Sequence, residues 1–212
     1  MKRQIPVLFI AAVLLIGGCR SAEMNLNTCK KTVREIYSSG RYEAELKQAV
    51  ADGESEIDFS PQDKPAVVFD VDETALSNYS YLNSMDFGYV HDSWNQWILE
   101  AKAEPVIPVL ELYRRLETKG VHTIFVTGRS ESQYSATYKN LVEAGYTKFD
   151  TLIVKQKSDA GMTAARIKET ERQRLTEAGY TIIACVGDQW SDMAGKFTGT
   201  KIKLPNYVYL ID

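Results

Sequence analysis

Glycine, proline and long runs of basic residues are scarce in this sequence. Only 13 of the 212 residues are Gly and 6 are Pro, which excludes collagen-like and low-complexity chains. Asp and Glu number 28 against 25 Lys and Arg. The resulting charge of −3 and the lack of a long basic run argue against a nucleic-acid binder. The length and the hydrophobic content of 44% predict one folded domain.

Two common glycine-rich phosphate loops are also absent from the sequence. It contains neither the Gly-x-x-x-x-Gly-Lys pattern of ATP-driven proteins nor the Gly-x-Gly-x-x-Gly pattern of dinucleotide-binding enzymes. ATP-driven and nicotinamide-dependent functions therefore lose their main support.

The apolar segment near the N-terminus is too short to cross a membrane. Val7 to Ile16 are ten consecutive apolar residues that follow Lys2 and Arg3, whereas a spanning helix needs about 20. Such a stretch is typical of a secretory signal peptide. Residues 16–19, Ile-Gly-Gly-Cys, resemble the lipobox of bacterial lipoproteins, which implies cleavage before Cys19 and lipid attachment to it. A plain signal peptide that ends near this cysteine is the alternative.

The predicted organisation is a lipoprotein signal peptide at residues 1–18, a polar tether at 19–27 and a globular domain at 28–212. Cleavage leaves 23 basic against 28 acidic residues, so anionic lipid headgroups repel the chain and the acyl chains must anchor it to the membrane. We expect an exported bacterial lipoprotein at the outer membrane or its periplasmic face. The sequence leaves open whether Cys29 and Cys185 form a disulfide and whether the chain forms a homodimer.

Four short apolar segments alternate with helical patterns in the rest of the chain. The segments, rich in β-branched residues and typical of buried strands, are 66–69, 122–126, 151–154 and 181–186. The alternation predicts an α/β fold, a Rossmann-like three-layer α/β/α sandwich with a parallel central sheet. Residues 75–104 interrupt it and are rich in aromatic side chains, so we expect a small cap inserted over the strand ends.

The helical segments have recognisable ends. Thr28 can cap a first helix that runs toward Ser38, and Pro108 suits the first turn of a later one. A third crossover helix should run from about residue 162 to 178.

Acidic and hydroxyl side chains follow three of the four predicted strands. They are Asp70 and Asp72, Thr127 with Gly128 and Arg129, and Asp188 with Asp192. The carboxyl ends of parallel strands share one edge of the sheet, where ligands bind. Converging carboxylates repel one another, and a phosphate ester, unless a cation is present. Mg²⁺ prefers such oxygen ligands, and Lys168 would add positive charge, so the set predicts phosphoryl transfer.

These residues resemble the four motifs of the haloacid dehalogenase (HAD) superfamily. The motifs correspond to Asp70-Val71-Asp72-Glu73-Thr74, Thr127-Gly128-Arg129, a helical lysine, and Gly187-Asp188 with Asp192. Within the superfamily the chain is similar to the acid phosphatases that include bacterial outer-membrane lipoprotein phosphatases and plant vegetative storage proteins. The runs that carry this similarity are Gly187-Asp188-Gln189-Trp190-Ser191-Asp192, Lys203-Leu204-Pro205-Asn206 and Ala103-Glu104-Pro105.

The resemblance implies a reaction in two steps. Asp70 is similar to the nucleophile that forms an aspartyl-phosphate. Asp72 is similar to the general acid that protonates the leaving oxygen and then, as a base, activates water. Thr127 matches the threonine that binds the phosphate.

The resemblance also implies a metal site and a catalytic lysine. Asp70, Asp188 and the backbone carbonyl of Asp72 resemble the Mg²⁺ ligands, and Asp192 would support the metal through water or through a hydrogen bond to a ligand. The lysine that neutralises the nucleophile and phosphate is assigned to Lys168, with Lys155 and Lys157 as alternatives.

The substrate contacts have two interpretations each. Tyr79 and Trp94 either stack on an aromatic group of the substrate, such as a nucleotide base, or only pack within the cap. Arg129 either contacts the substrate beside Gly128 or pairs with a carboxylate.

The predicted function is Mg²⁺-dependent hydrolysis of small phosphomonoesters, nucleotides among them, and the resemblance implies that the optimum lies at acidic pH. The alternatives are a phosphotransferase with the same intermediate and a non-catalytic lipoprotein that binds a nucleotide or another small ligand. Phosphatases with a histidine or cysteine nucleophile are excluded, because His91 and His122 lie in no Arg-His-Gly run and no cysteine precedes an arginine by six positions.

Overall fold

A five-stranded parallel sheet organises the protein. The computed structural model describes residues 25–211. The helices and strands, in chain order, are α1 (Leu26–Ser38), α2 (Arg41–Ser55), β1 (Pro65–Phe69), β2 (Leu76–Ser77), α3 (Tyr79–Ser84), α4 (His91–Glu100), β3 (Glu104–Pro105), α5 (Ile107–Thr118), β4 (His122–Ser130), α6 (Tyr134–Glu143), β5 (Thr151–Lys155), α7 (Ala164–Glu177), β6 (Thr181–Gly187) and β7 (Thr200–Lys203).

The strand order is β5-β4-β1-β6-β7, with β1 in the centre. The chain runs outward from β1 through β4 to β5, then crosses to the other side for β6 and β7. Phe69 at the end of β1 pairs with Phe125 of β4 and with Val186 of β6. The carboxyl ends of these three strands are therefore neighbours, and the predicted α/β fold with a parallel central sheet is confirmed.

Helices cover both faces of the sheet, which explains why the strands are apolar throughout. Val67 and Phe69 of β1 belong to the larger core, together with residues of α1, α2, α5 and α6. Ala66 and Val68 point to the opposite face, where Leu175 of α7 packs. The apolar stripe of α5 is fully buried, as its helical spacing predicts.

The structure corrects two boundaries and adds one strand. Asn25, not Thr28, caps α1, since its Oδ1 accepts the N–H of Thr28 at 3.0 Å, so the predicted tether ends before residue 27. Strand β4 continues to Ser130. The sequence prediction missed β7, which has four residues with only Ile202 buried and so lacks the apolar run of the inner strands.

An insertion between β1 and α5 forms a cap. The two-residue strands β2 and β3 pair antiparallel at its base, and α3 and α4 lie beyond them. The ring centroid of Tyr81 lies 5.5 Å from the ring centroids of both Trp94 and Trp97. Helix α1 holds the cap from outside, because Arg34 forms an ion pair with Asp86 at 2.6 Å.

Both cysteines of the described chain are free thiols, Cys29 half-buried and Cys185 buried. Cys19 and the predicted signal peptide lie outside the described residues. Between residues 25 and 211, no helix has both the length and the apolar character required to cross a membrane.

Candidate active site

A tight turn after β1 brings Asp70 and Asp72 to one cavity. The N–H of Asp70 donates to the carbonyl of Val186 in β6 at 2.9 Å, so the neighbouring strand fixes its backbone. Three residues on, Glu73 has a left-handed φ of 55°, and its N–H donates to the carbonyl of Leu76 at 2.8 Å. The turn thus sends the chain into the cap immediately after the two aspartates.

Lys168 of α7 contacts two of the carboxylates. Its Nζ lies 2.5 Å from Oδ1 of Asp70 and 2.5 Å from Oδ1 of Asp192. Lys155 lines the same cavity. Of the three lysines considered in the sequence, Lys168 is the one that the described structure brings to Asp70 and Asp192.

Arg172, one turn beyond Lys168, fixes the loop that carries Asp192. Its guanidinium is fully buried and donates to the backbone carbonyls of Asp192, at 2.7 Å, and Ala194. The position of Asp192 also requires glycine at residue 187, because a Cβ on Gly187 would lie 2.2 Å from Oδ2 of Asp192.

Asp188 is held by hydrogen bonds to both of its oxygens. Oδ1 accepts the hydroxyl of Thr74 at 3.1 Å. Oδ2 accepts Nε2 of Gln189 at 2.6 Å and Nδ2 of Asn206 at 2.7 Å. These donors fix its carboxylate beside those of Asp70 and Asp192.

The three carboxylates form a group that fits a hard divalent cation. Asp70, Asp188 and Asp192 each offer an oxygen within 4.8 Å of the others. The side chain of Asp72 is not in this group. The two oxygens of Asp192 already accept Lys168 and the N–H of Gln189, at 2.5 and 2.8 Å, which favours a supporting position for Asp192.

Burial makes the negative charge of this group costly. It raises the pKa of Asp70 well above its ordinary value, against the opposing attraction of Lys168. The pKa of Asp188 is also raised by burial, with the charge of Asp192 adding to the effect. For Lys168, burial lowers the pKa, but Asp70 and Asp192 outweigh it and the pKa is raised. The group therefore has too little positive charge of its own, which a divalent cation would supply.

Asp72 is paired with Arg129. The Nη2 of Arg129 donates to Oδ1 of Asp72 at 2.7 Å, and the arginine side chain is only 2% exposed. Of the two interpretations of Arg129, pairing with a carboxylate is therefore the one that the geometry shows. Gly128 lines the cavity, and the buried hydroxyl of Thr127 accepts the N–H of Arg129 at 3.2 Å.

The cavity above the carboxylates has a volume of about 700 Å³. Trp94 contributes to its cap wall, together with Phe87 and Tyr89. Tyr79 does not line it, since its ring stacks on Tyr37 with centroids 3.8 Å apart. The substrate contact predicted for Tyr79 is therefore corrected to packing within the protein.

Sequence reasoning missed two residues of this site. Asn78 is fully buried and donates to Asp72 at 2.8 Å, and Tyr209 donates to Glu73 at 2.5 Å. Neither residue directly follows a strand of the main sheet, so the expectation that site residues lie at the carboxyl ends of the strands could not find them. The run Lys203-Leu204-Pro205-Asn206 was the one feature of the sequence that connected the C-terminal segment with the site.

Glu73 should make the metal-free protein less stable as pH rises. Burial raises its pKa to about 8, and the charge of Asp72 adds to this, whereas an unfolded chain titrates at about 4.3. Between these values the folded state retains a proton that the unfolded state has lost. The free energy of unfolding in EDTA should therefore fall with rising pH, with Glu73 contributing up to about 1.4 kcal/mol per pH unit.

Urea unfolding from pH 5 to pH 8 measures this dependence. Glu73→Gln should flatten it, because glutamine has no proton to lose. Equal slopes for the two proteins would contradict the assignment.

Known proteins resemble this chain in sequence and in fold. Acid phosphatase 1 of Solanum lycopersicum is 33% identical over 191 residues, which cover 86% of this chain and 74% of that protein. Vegetative storage protein 1 of Arabidopsis thaliana is 31% identical over 149 residues, 68% of this chain and 54% of that protein. A class C acid phosphatase from Bacillus anthracis, solved with tungstate bound, superposes with a TM-score of 0.69 over 86% of each chain. At 23% identity, that likeness concerns the fold.

The family model described as HAD superfamily, subfamily IIIB (acid phosphatase), matches residues 18–212. The match spans the sheet, the cap and every aspartate of the site, and it confirms the resemblance seen in the sequence motifs. The chain belongs to subfamily IIIB of the HAD superfamily, the acid phosphatases.

Proposed function

We propose that this acid phosphatase hydrolyses small phosphomonoesters with Mg²⁺ and through an aspartyl-phosphate on Asp70. One observation carries the proposal. Lys168 binds Oδ1 of Asp70, whereas Oδ2 accepts no hydrogen bond from residues 25–211 and Asp70 lines the cavity. This leaves one oxygen free to attack phosphorus beside a positive charge that lowers the repulsion between two anions.

In the first step, Oδ2 of Asp70 attacks the phosphorus atom and the bond to the leaving oxygen breaks. The leaving oxygen takes the electron pair of that bond and a proton from Asp72. Lys168 and the hydroxyl of Thr127 bind the phosphate oxygens. The products of this step are a free alcohol and phosphorylated Asp70.

In the second step, Asp72 takes a proton from water, and the resulting hydroxide attacks the phosphorus atom. The bond to Asp70 breaks and inorganic phosphate leaves. Asp70, Asp188 and the carbonyl of Asp72 would hold Mg²⁺, with Asp192 in support. When bound, the ion supplies positive charge that offsets the carboxylates and polarises the phosphate.

The shape of the cavity supports small esters with an aromatic group, such as nucleotides. The cap wall offers the rings of Phe87, Tyr89 and Trp94, and aromatic rings stack well on bases. A non-catalytic binding protein would not need the attacking oxygen of Asp70, so the geometry favours turnover over simple binding. Transfer of the phosphate to an alcohol would use the same intermediate, and product analysis separates it from hydrolysis.

Phosphate release should depend on Mg²⁺. With p-nitrophenyl phosphate at pH about 5, we expect turnover with Mg²⁺, loss of most activity in EDTA, and recovery when Mg²⁺ is restored. Equal rates with and without the chelator would rule out the metal dependence.

Asp70→Asn should reduce kcat by about 10³-fold or more, because the amide cannot form the covalent intermediate. Glu43→Gln, an exposed change in α2, is a suitable control and should keep the wild-type rate. The circular dichroism spectrum checks that both variants fold. An Asp70→Asn variant that keeps most of its activity would show that another group is the nucleophile.

We also propose that the chain is an exported lipoprotein anchored through Cys19, in the organisation given above. The support is the sequence around residues 16–19. Cys19→Ala should move the full-length protein from the membrane fraction to the soluble fraction when cells are fractionated. Cys29→Ala is the matched control and should leave the protein on the membrane. If Cys19→Ala stays on the membrane, lipid on this cysteine is not the anchor.

A further inference from the structure

We propose that Asn78 is a positioning residue for the general acid, and that it leaves Oδ2 of Asp72 as the oxygen that carries the transferred proton. The inference rests on the proposed role of Asp72. It assigns a function in the reaction to a residue of the cap, outside the strand-end motifs.

The hydrogen bonds to Asp72 are divided unequally between its two oxygens. Oδ1 accepts Nη2 of Arg129 at 2.7 Å, Nε of Arg129 at 3.1 Å, and Nδ2 of Asn78 at 2.8 Å. Oδ2 has one donor within the described chain, Nε of Arg129, at 3.2 Å. A carboxylate oxygen has two lone pairs, so Oδ1 has no capacity left for a proton. Oδ2 is the oxygen that can bind one and pass it on.

Arg129 by itself would produce only part of this difference. Its Nη2 contacts Oδ1 alone, at 2.7 Å, but its Nε contacts both oxygens of Asp72 at nearly equal distances, 3.1 and 3.2 Å, and a guanidinium can bind a carboxylate through both oxygens. The amide of Asn78 contacts only Oδ1 of Asp72. Asn78 therefore completes the occupation of Oδ1 and leaves Oδ2 available.

The orientation of the Asn78 amide is itself fixed by the cap. Nε1 of Trp97, in α4, donates to Oδ1 of Asn78 at 2.8 Å. An indole N–H can only donate, so the amide oxygen must face Trp97. The NH₂ group then faces the carboxylates of Asp72 and Glu73.

Glu73 fixes the backbone of Asn78 at the same time. Its Oε1 accepts the N–H of Asn78 at 2.6 Å, and its Oε2 accepts Nδ2 of Asn78 at 3.2 Å. The hydroxyl of Tyr209, in the C-terminal tail, donates to Oε2 of Glu73 at 2.5 Å. Asn78 is fully buried and is thus held by residues of the cap, the β1 turn and the tail together.

The test uses the leaving group, because a general acid matters most when the leaving oxygen is strongly basic. We expect Asn78→Ala to lower kcat/KM for an alkyl phosphate by about 30-fold, and for p-nitrophenyl phosphate by about 3-fold or less. A merely structural defect would lower both values equally. Asn78→Leu keeps the shape of the side chain and removes the donor to Asp72 without adding a charge, and it provides the same test of selectivity if Asn78→Ala fails to fold.

Two further variants make the result decisive. Asn83→Ala, in the same cap segment but hydrogen-bonded to Arg34 on the outside, should leave both values unchanged. Asp72→Asn should show the same selectivity as the Asn78 variants, and more strongly.

The outcomes distinguish the inference from the proposed function. If Asp72→Asn is selective but folded Asn78 variants lower both substrates equally, or lower neither, the positioning role is wrong and the role of Asp72 stands. If Asp72→Asn is not selective, Asp72 is not the general acid, and the inference falls with it.

Discussion

Repulsion between buried carboxylates is the constraint on which this site depends. Four aspartates lie at the ends of β1 and β6. Lys168 pairs with Asp70 and Asp192, and Arg129 pairs with Asp72. Burial raises the pKa values of Asp70 and Asp188, the charges of neighbouring aspartates add to the effect, and a divalent cation would offset both. The fourth aspartate, Asp188, has no cationic partner within the described chain and accepts hydrogen bonds from the neutral side chains of Thr74, Gln189 and Asn206. At this aspartate, hydrogen bonds take the place of a cationic partner.

The sequence predicted the part of the site that follows directly from sheet topology. Asp70, Thr127 and Asp188 come at the ends of adjacent parallel strands, and any such fold brings them to one edge. Lys168 was predictable because a helical lysine is part of the motif set, although two other lysines competed for the role. The sequence did not predict the short edge strand β7, because only one of its four residues is buried and its alternation of polar and apolar residues is no stronger than that of a loop. The same limit affected the cap, in which Tyr79 and Trp94 look alike in sequence but only Trp94 lines the cavity.

Polar contacts from the cap and the C-terminal tail complete the site, and sequence reasoning could not find these contacts. Asn78 begins the cap, Trp97 lies in its second helix, and Tyr209 is in the tail after β7. Their contacts with the β1 turn depend on how three separate segments pack. No local periodicity encodes that packing, because each contact is made by one polar atom of an otherwise ordinary packing residue. The cap therefore supplies hydrogen bonds to the acid phosphatase site as well as one wall of its cavity.

The outer edge of the sheet has a consequence for how the protein behaves at high concentration. Strand β7 has no neighbour on its outer side within the described chain, and an open edge of this kind can add a strand from another molecule. Lys201 and Lys203 stand two positions apart along it. Lys201 is exposed on this edge, and a charged side chain there opposes pairing with the edge strand of a second copy.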